Sequence, residues 1–164
     1  MFSFRSSTIL MRIVQHLFFF LALLFAPVQA TYLNVTVNNT DPSIQFSSGW
    51  NSCPDISPPD GLSYGGTRNC TSQYGTNATF TFTGVVVYYI APHFTADGDV
   101  LTVLQLDSEP LVVVNLTQAQ GQSLDWAIRW AASGLKNGTH TLVIYGPSNT
   151  MTPSSTWGEV NAFM

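Results

Sequence analysis

The sequence predicts an all-β fold, an antiparallel two-sheet sandwich of jelly-roll type behind an N-terminal signal peptide. Short runs alternate apolar and polar residues with period two, the segments between them carry turn chemistry, and no stretch shows a helical stripe. Six Asn-x-Thr sequons, at Asn34, Asn38, Asn69, Asn77, Asn115 and Asn137, add an expectation about compartment. A glycan at any of them needs its asparagine exposed on a secreted surface, so the set points to a secreted, N-glycosylated chain of eukaryotic source.

Residues 1–30 read as a signal peptide. Arg5 and Arg12 form the positive flank, residues 17–26 the apolar run, and Val28-Gln-Ala30 a small-residue cleavage site. The alternative is an uncleaved anchor over residues 13–30, a poor one because of Gln15, His16, Pro27 and Gln29. Both place residues 31–164 outside the cell, as one domain with a single core and, after cleavage, no membrane span. Without Arg5 and Arg12 the cations are Arg68, Arg129 and Lys136, against nine carboxylates. Such a surface repels phosphate backbones and anionic lipid, which argues against nucleic acid and peripheral membrane partners.

Leu33, Val35 and Val37 alternate with Asn34, Thr36 and Asn38, and Ala78, Phe80 and Phe82 with Asn77, Thr79 and Thr81, as half-buried strands do. In both runs the sequon asparagines lie on the polar face. Further strands are expected over 85–90, 100–106, 111–116, 126–131, 139–145 and 160–163. Asp97-Gly98 marks one turn, and Asn137-Gly138 a tight turn between the strands at 126–131 and 139–145. Residues 118–123 read as a polar crossover. Cys53 and Cys70 lack the histidine-rich neighbourhood of a metal site and are expected to form a disulfide, closing a loop rich in Pro and Gly that regular pairing would not order.

Asn39-Thr-Asp-Pro-Ser-Ile-Gln-Phe46 with Gly49-Trp50, then Ala78-Thr-Phe-Thr-Phe-Thr-Gly84, then Gly134-Leu-Lys-Asn-Gly-Thr-His-Thr-Leu142 resemble the galactose-binding-domain-like ectodomains of secreted and single-span fungal surface proteins. The resemblance implies a jelly-roll sandwich displayed outside the cell and, from the fold name, a carbohydrate partner. It transfers no ligand-contacting residue, because the matching motifs are strands and turns.

Chemistry in the sequence is sparse. Asp107 and Glu109 share a parity but flank Pro110, which makes a solvated turn the better reading than an acid/base pair. His140 has the parity of Leu142 and Ile144 and is expected as a hydrogen-bonded core or edge residue. No nucleophile elbow accompanies it or His93. Asp97-Gly-Asp99 offers too few oxygens for calcium and is read as a turn. No catalytic residue, metal or cofactor is expected. Trp126, Ile128 and Trp130 share a strand parity and are expected on the core face. Trp50, Tyr64 and Tyr74 flank the disulfide loop and are the ligand-binding candidates, since sugar rings lay their C–H faces on aromatic planes. The expected function is non-catalytic glycan binding or surface recognition. The alternatives are a structural or adhesive wall protein without a small ligand and, third, an extracellular polysaccharide-acting enzyme.

Overall fold

The computed structural model describes residues 32–53, 63–94, 99–117, 126–152 and 154–164, and the folded unit is Asn34–Met164. Its spine is an antiparallel pair, β5 (Asn77–Ala91) with β8 (Ala127–Tyr145). β6 (Leu101–Leu106) pairs with β8 and β7 (Val112–Asn115) with β6. On the other side of β5 lie β2 (Ile44–Phe46), against its first half, and β10 (Ala162–Phe163), against its second, with β1 (Val37–Asn38) beyond β10. A second, three-stranded sheet runs β3 (Asn51–Cys53), β4 (Arg68–Thr71), β9 (Gly158–Val160). All these pairings are antiparallel, so the all-β, two-sheet expectation holds.

Period two explains the core. Ala78 and Phe80 are buried while Thr81 and Thr83 face solvent. Between Gly84 and Val86 the register shifts, and the inward parity of β5 changes to Val87 and Tyr89. A bulge inserts a residue and so exchanges the two faces of a strand. Leu104, Leu142, Ile144, Val160 and Phe163 complete the core with these side chains. Burying each large apolar one contributes about 1.5–3 kcal/mol. In the Asp-Pro-Ser motif Asp41 Oδ1 accepts from Ser43 N (2.9 Å) and Oγ (2.6 Å), a turn that delivers Ile44 to the core.

Several expectations are corrected. Asn137-Gly138 does not make a hairpin turn, because β8 runs continuously past it. Gly84 pairs with Gly138 and Val86 with Ser133, so residues 134–137 bulge out opposite Val85, with Gly134 at φ +73. The turn chemistry is spent on a bulge within a strand. The alternation at 33–37 does not give a buried face: Leu33 is 84% and Val35 59% exposed, since β1 meets β10 over only the rungs Val37–Phe163 and Asn38–Ala162. The disulfide region does pair regularly, Asn51 with Cys70 and Cys53 with Arg68. The expected turn at Asp97-Gly98 and the crossover at 118–123 lie outside the described residues, as does the signal segment. Among the described residues no helix is long and apolar enough to cross a membrane.

Candidate functional site

At the end of the ladder where β5 finishes and β8 begins, Ala91 pairs with Ala127. Behind this end lies a buried charge pair: Arg68 Nη1 donates to Glu159 Oε2 at 3.2 Å, and the two side chains are 2% and 0% exposed. The Arg68 guanidinium sits over the Phe94 ring, 5.0 Å from its centroid. Tyr89, fully buried, donates its hydroxyl to the Glu159 carbonyl at 2.8 Å. Burial, reinforced by the Glu159 charge, pushes the Tyr89 phenol well above its ordinary range, so it serves as a neutral donor. At a second register shift, between Tyr89 and Ile90, Arg129 is the extra residue on β8, and its Nε donates to the Ala91 carbonyl at 2.8 Å.

On this base stand two aromatic rings. Trp126, immediately before β8, is 42% exposed, and Tyr64 meets it edge to face, with centroids 5.4 Å apart and planes at 85°. The expectation that Trp126, Ile128 and Trp130 would share the core face therefore holds only for Trp130, which packs on the core, while Ile128 is 49% exposed. Parity specifies which residues share a face. That holds only in an unbroken strand: the extra residue Arg129, opposite the Tyr89–Ile90 step, exchanges the faces of β8, so Ile128 shares the face of Ile90 and Trp130 that of Tyr89.

Of the three aromatics read from the sequence, the structure brings only Tyr64 into this corner. Tyr74 is 66% exposed at the opposite end of the ladder, in the turn before β5 where Gly75 N donates to the Pro147 carbonyl. Trp50 packs on the core, with Phe46 at 5.3 Å, and its indole fills the space beside Gly158. Trp50→Ala is accordingly expected to cost about 3 kcal/mol, the low end for a core tryptophan because Trp50 is half-buried, without a selective loss of ligand binding. Urea unfolding beside a binding titration checks this, and lost binding at unchanged stability would return Trp50 to the surface set. Trp126 was missed because its parity with Trp130 signalled core.

Cys53 and Cys70 form the expected disulfide, Cα–Cα 5.9 Å, joining β3 to β4. Closing such a loop contributes about 3 kcal/mol in the chain-entropy account. Asn34, Asn115 and Asn137 are exposed, and Asn38, Asn69 and Asn77 half-buried. Asn69 Oδ1 accepts from Asn39 Nδ2 at 2.7 Å.

Away from this corner, His140 Nδ1 lies 2.8 Å from Asp107 Oδ2 and its Nε2 2.8 Å from the Lys136 carbonyl. Both partners accept, so both ring nitrogens donate and the imidazole is held as the cation. Hydrogen bonding to Asp107, then to the Lys136 carbonyl, raises the His140 pKa, and bonds from His140 and from Thr141 N lower that of Asp107. The histidine's contribution to stability is complete below its unfolded pKa of about 6.5 and is lost as pH rises through the raised folded value. The aspartate's is present above its unfolded pKa of about 3.9 and is lost as pH falls through the lowered folded value. The pair that closes the 134–137 bulge is thus complete between about pH 4 and 6.5. An NMR titration of His140 is expected to give a midpoint above 6.5, reduced in Asp107→Asn; a wild-type midpoint at or below 6.5 contradicts the assignment.

Among the described residues no group of three or more His, Cys, Asp or Glu could hold a metal ion. No family profile and no curated protein matches the chain. Solved structures do match in fold. A family 35 carbohydrate binding module from Clostridium thermocellum superposes with a TM-score of 0.53 at 11% identity, covering 79% of this chain and 96% of the module. An exo-β-1,3-galactanase from Phanerochaete chrysosporium, in a structure with galactose, gives 0.54 at 9% identity over 82% of this chain and 29% of the enzyme. The GH26-CBM35 β-(1,4)-mannanase of Podospora anserina gives 0.50 at 15% identity over 79% of this chain and 26% of that one. The likeness is one of fold. This chain spans less than a third of either enzyme and nearly all of the isolated module.

Proposed function

We propose that the chain is a secreted, N-glycosylated, non-catalytic module that binds carbohydrate at the Tyr64–Trp126 corner. The observation that carries this reading is the exposed Trp126 with the Tyr64 ring set perpendicular to it, at one end of a sandwich whose fold is that of a carbohydrate binding module. An indole face presents apolar surface for the C–H side of a pyranose, and Tyr64 adds a second ring perpendicular to it. Three of the nine carboxylates are engaged in the fold, Glu159 with Arg68, Asp107 with His140 and Asp41 with Ser43, which supports the non-catalytic part. The sequons and the disulfide support secretion.

Tryptophan fluorescence titrated with galactose, β-1,3-galactotriose and mannotriose is expected to change saturably with at least one of them. Trp126→Ala is expected to weaken that binding at least about tenfold, equivalent to 1.4 kcal/mol, with the unfolding midpoint nearly unchanged because the ring is exposed. No reducing ends should be released from the same sugars. A folded protein that binds none of the panel, or whose Trp126→Ala variant binds as wild type, overturns the proposal.

A further inference from the structure

Two buried amides govern where Tyr64 stands. We propose that Asn161, backed by Asn39, is the positioning residue of the Tyr64–Trp126 corner, an assignment that rests on the reading of that corner as the sugar site. The turn that carries Tyr64 is weak by itself. Residues Tyr64–Gly66 form one 3₁₀ turn closed by Gly66 N donating to the Ser63 carbonyl (3.0 Å), with Gly65 and Gly66 at φ +70 and +74. One such turn does not fix its own orientation.

Asn161 supplies the orientation from 97 residues away. Its side chain is completely buried between β9 and β10, its Oδ1 accepts from Tyr64 N at 2.9 Å, and its Nδ2 donates to the Thr67 carbonyl at 3.3 Å. One planar amide thereby grips the turn at both ends. Asn39 braces it: its backbone N donates to the Asn161 carbonyl (3.0 Å), its Oδ1 accepts from Thr67 Oγ1 (2.8 Å), and its Nδ2 donates to Asn69 Oδ1 (2.7 Å). The task requires an adjacent donor and acceptor on an uncharged group. Aspartate lacks the donor, and an aliphatic side chain would leave Tyr64 N and the Thr67 carbonyl unpaired.

The same residue is also tied to the other ring. Ala162, next to Asn161, pairs with Ile90, and Ile90 pairs with Ile128, two residues from Trp126. Both halves of the corner are therefore referenced to one short stretch of sheet, which holds their edge-to-face geometry before any ligand arrives. A site organised in advance binds more tightly because less ordering remains to be done on association.

The test uses protein labelled with 5-fluorotryptophan, the Trp126 resonance being identified by its loss in Trp126→Phe. In the sugar-free protein, Asn161→Ala is expected to move that resonance in the same direction as Tyr64→Ala does, and to weaken β-1,3-galactotriose binding about tenfold. Gly65→Ala displaces the turn without touching the buried amides, because its Cβ would meet the Asn38 side-chain amide at a positive φ, and it is expected to do the same. In a Trp126→Ala background Asn161→Ala should cause no further loss of binding. A folded Asn161→Ala protein with the Trp126 resonance unmoved overturns the proposal; should that variant not fold, an unmoved resonance in Gly65→Ala does so. A resonance that moves in a protein binding none of the sugars upholds the positioning role and removes the reading of the corner as a sugar site.

Discussion

Glu159→Ala is expected to lower the free energy of unfolding by about 3–5 kcal/mol, more than any surface change in this protein. The carboxylate is fully buried and receives Arg68 Nη1 at 3.2 Å and Trp157 Nε1 at 3.4 Å. Its removal takes the carboxylate partner from a guanidinium with 2% exposure, and the loss of that charge pairing in low dielectric dominates the cost. The intact pair is not itself a large source of stability, because the attraction between its charges mainly offsets their dehydration. Replacing both residues, Arg68→Met with Glu159→Leu, is therefore expected to recover most of the loss. Urea unfolding of the single and double variants checks both statements, and a single variant within 1 kcal/mol of wild type would show that water or a rearranged side chain reaches Arg68.

Phe163→Ala is expected to cost about 3–5 kcal/mol. Phe163 is fully buried, stacks on Phe80 at 4.3 Å between centroids and 8° between planes, and contacts Tyr89 at 6.0 Å. It also anchors β10, a strand of two residues whose neighbour β1 has few other contacts. Removing the ring should then loosen β1 as well as leave a cavity. Hydrogen exchange at the Asn39 amide, which donates to the Asn161 carbonyl, is expected to accelerate in Phe163→Ala beyond the change in global stability. Phe163→Leu, which keeps most of the volume, should lose about 1–1.5 kcal/mol and retain the protection. Equal losses in the two variants would mean that the ring stacking on Phe80, absent from both, carries the effect and that the volume leucine retains carries little.

The strand class and the face of each long strand are legible in the sequence because period two is a local property. Ala78, Phe80 and Phe82 name the inner face of β5 without knowledge of its neighbours, and Leu142 and Ile144 do so for β8. The cysteine pair is legible for a similar reason, since two thiols with no histidine-rich neighbourhood leave few alternatives. Short strands are not: β2, β3, β4 and β9 carry three or four residues each, too few to show a period, and form only where a longer strand or the disulfide holds a partner beside them.

The candidate site is almost wholly tertiary. Identical local signals have opposite outcomes here. The alternation at Leu33 and Val35 stays in solvent while that at Ala78 and Phe80 is buried, because only the latter segment has strands on both sides. Trp126 and Trp130 share a parity, yet the core covers one and leaves the other exposed. Trp50 and Tyr64 flank the same disulfide loop, yet one is packed into the core and the other is held at its edge by an amide from Asn161. The residues alone determine that this chain is a disulfide-bonded antiparallel β-protein with little ionisable chemistry. Which aromatics face solvent, and that Arg68 and Glu159 meet, is decided by contacts between residues as much as 97 positions apart, which no local pattern encodes.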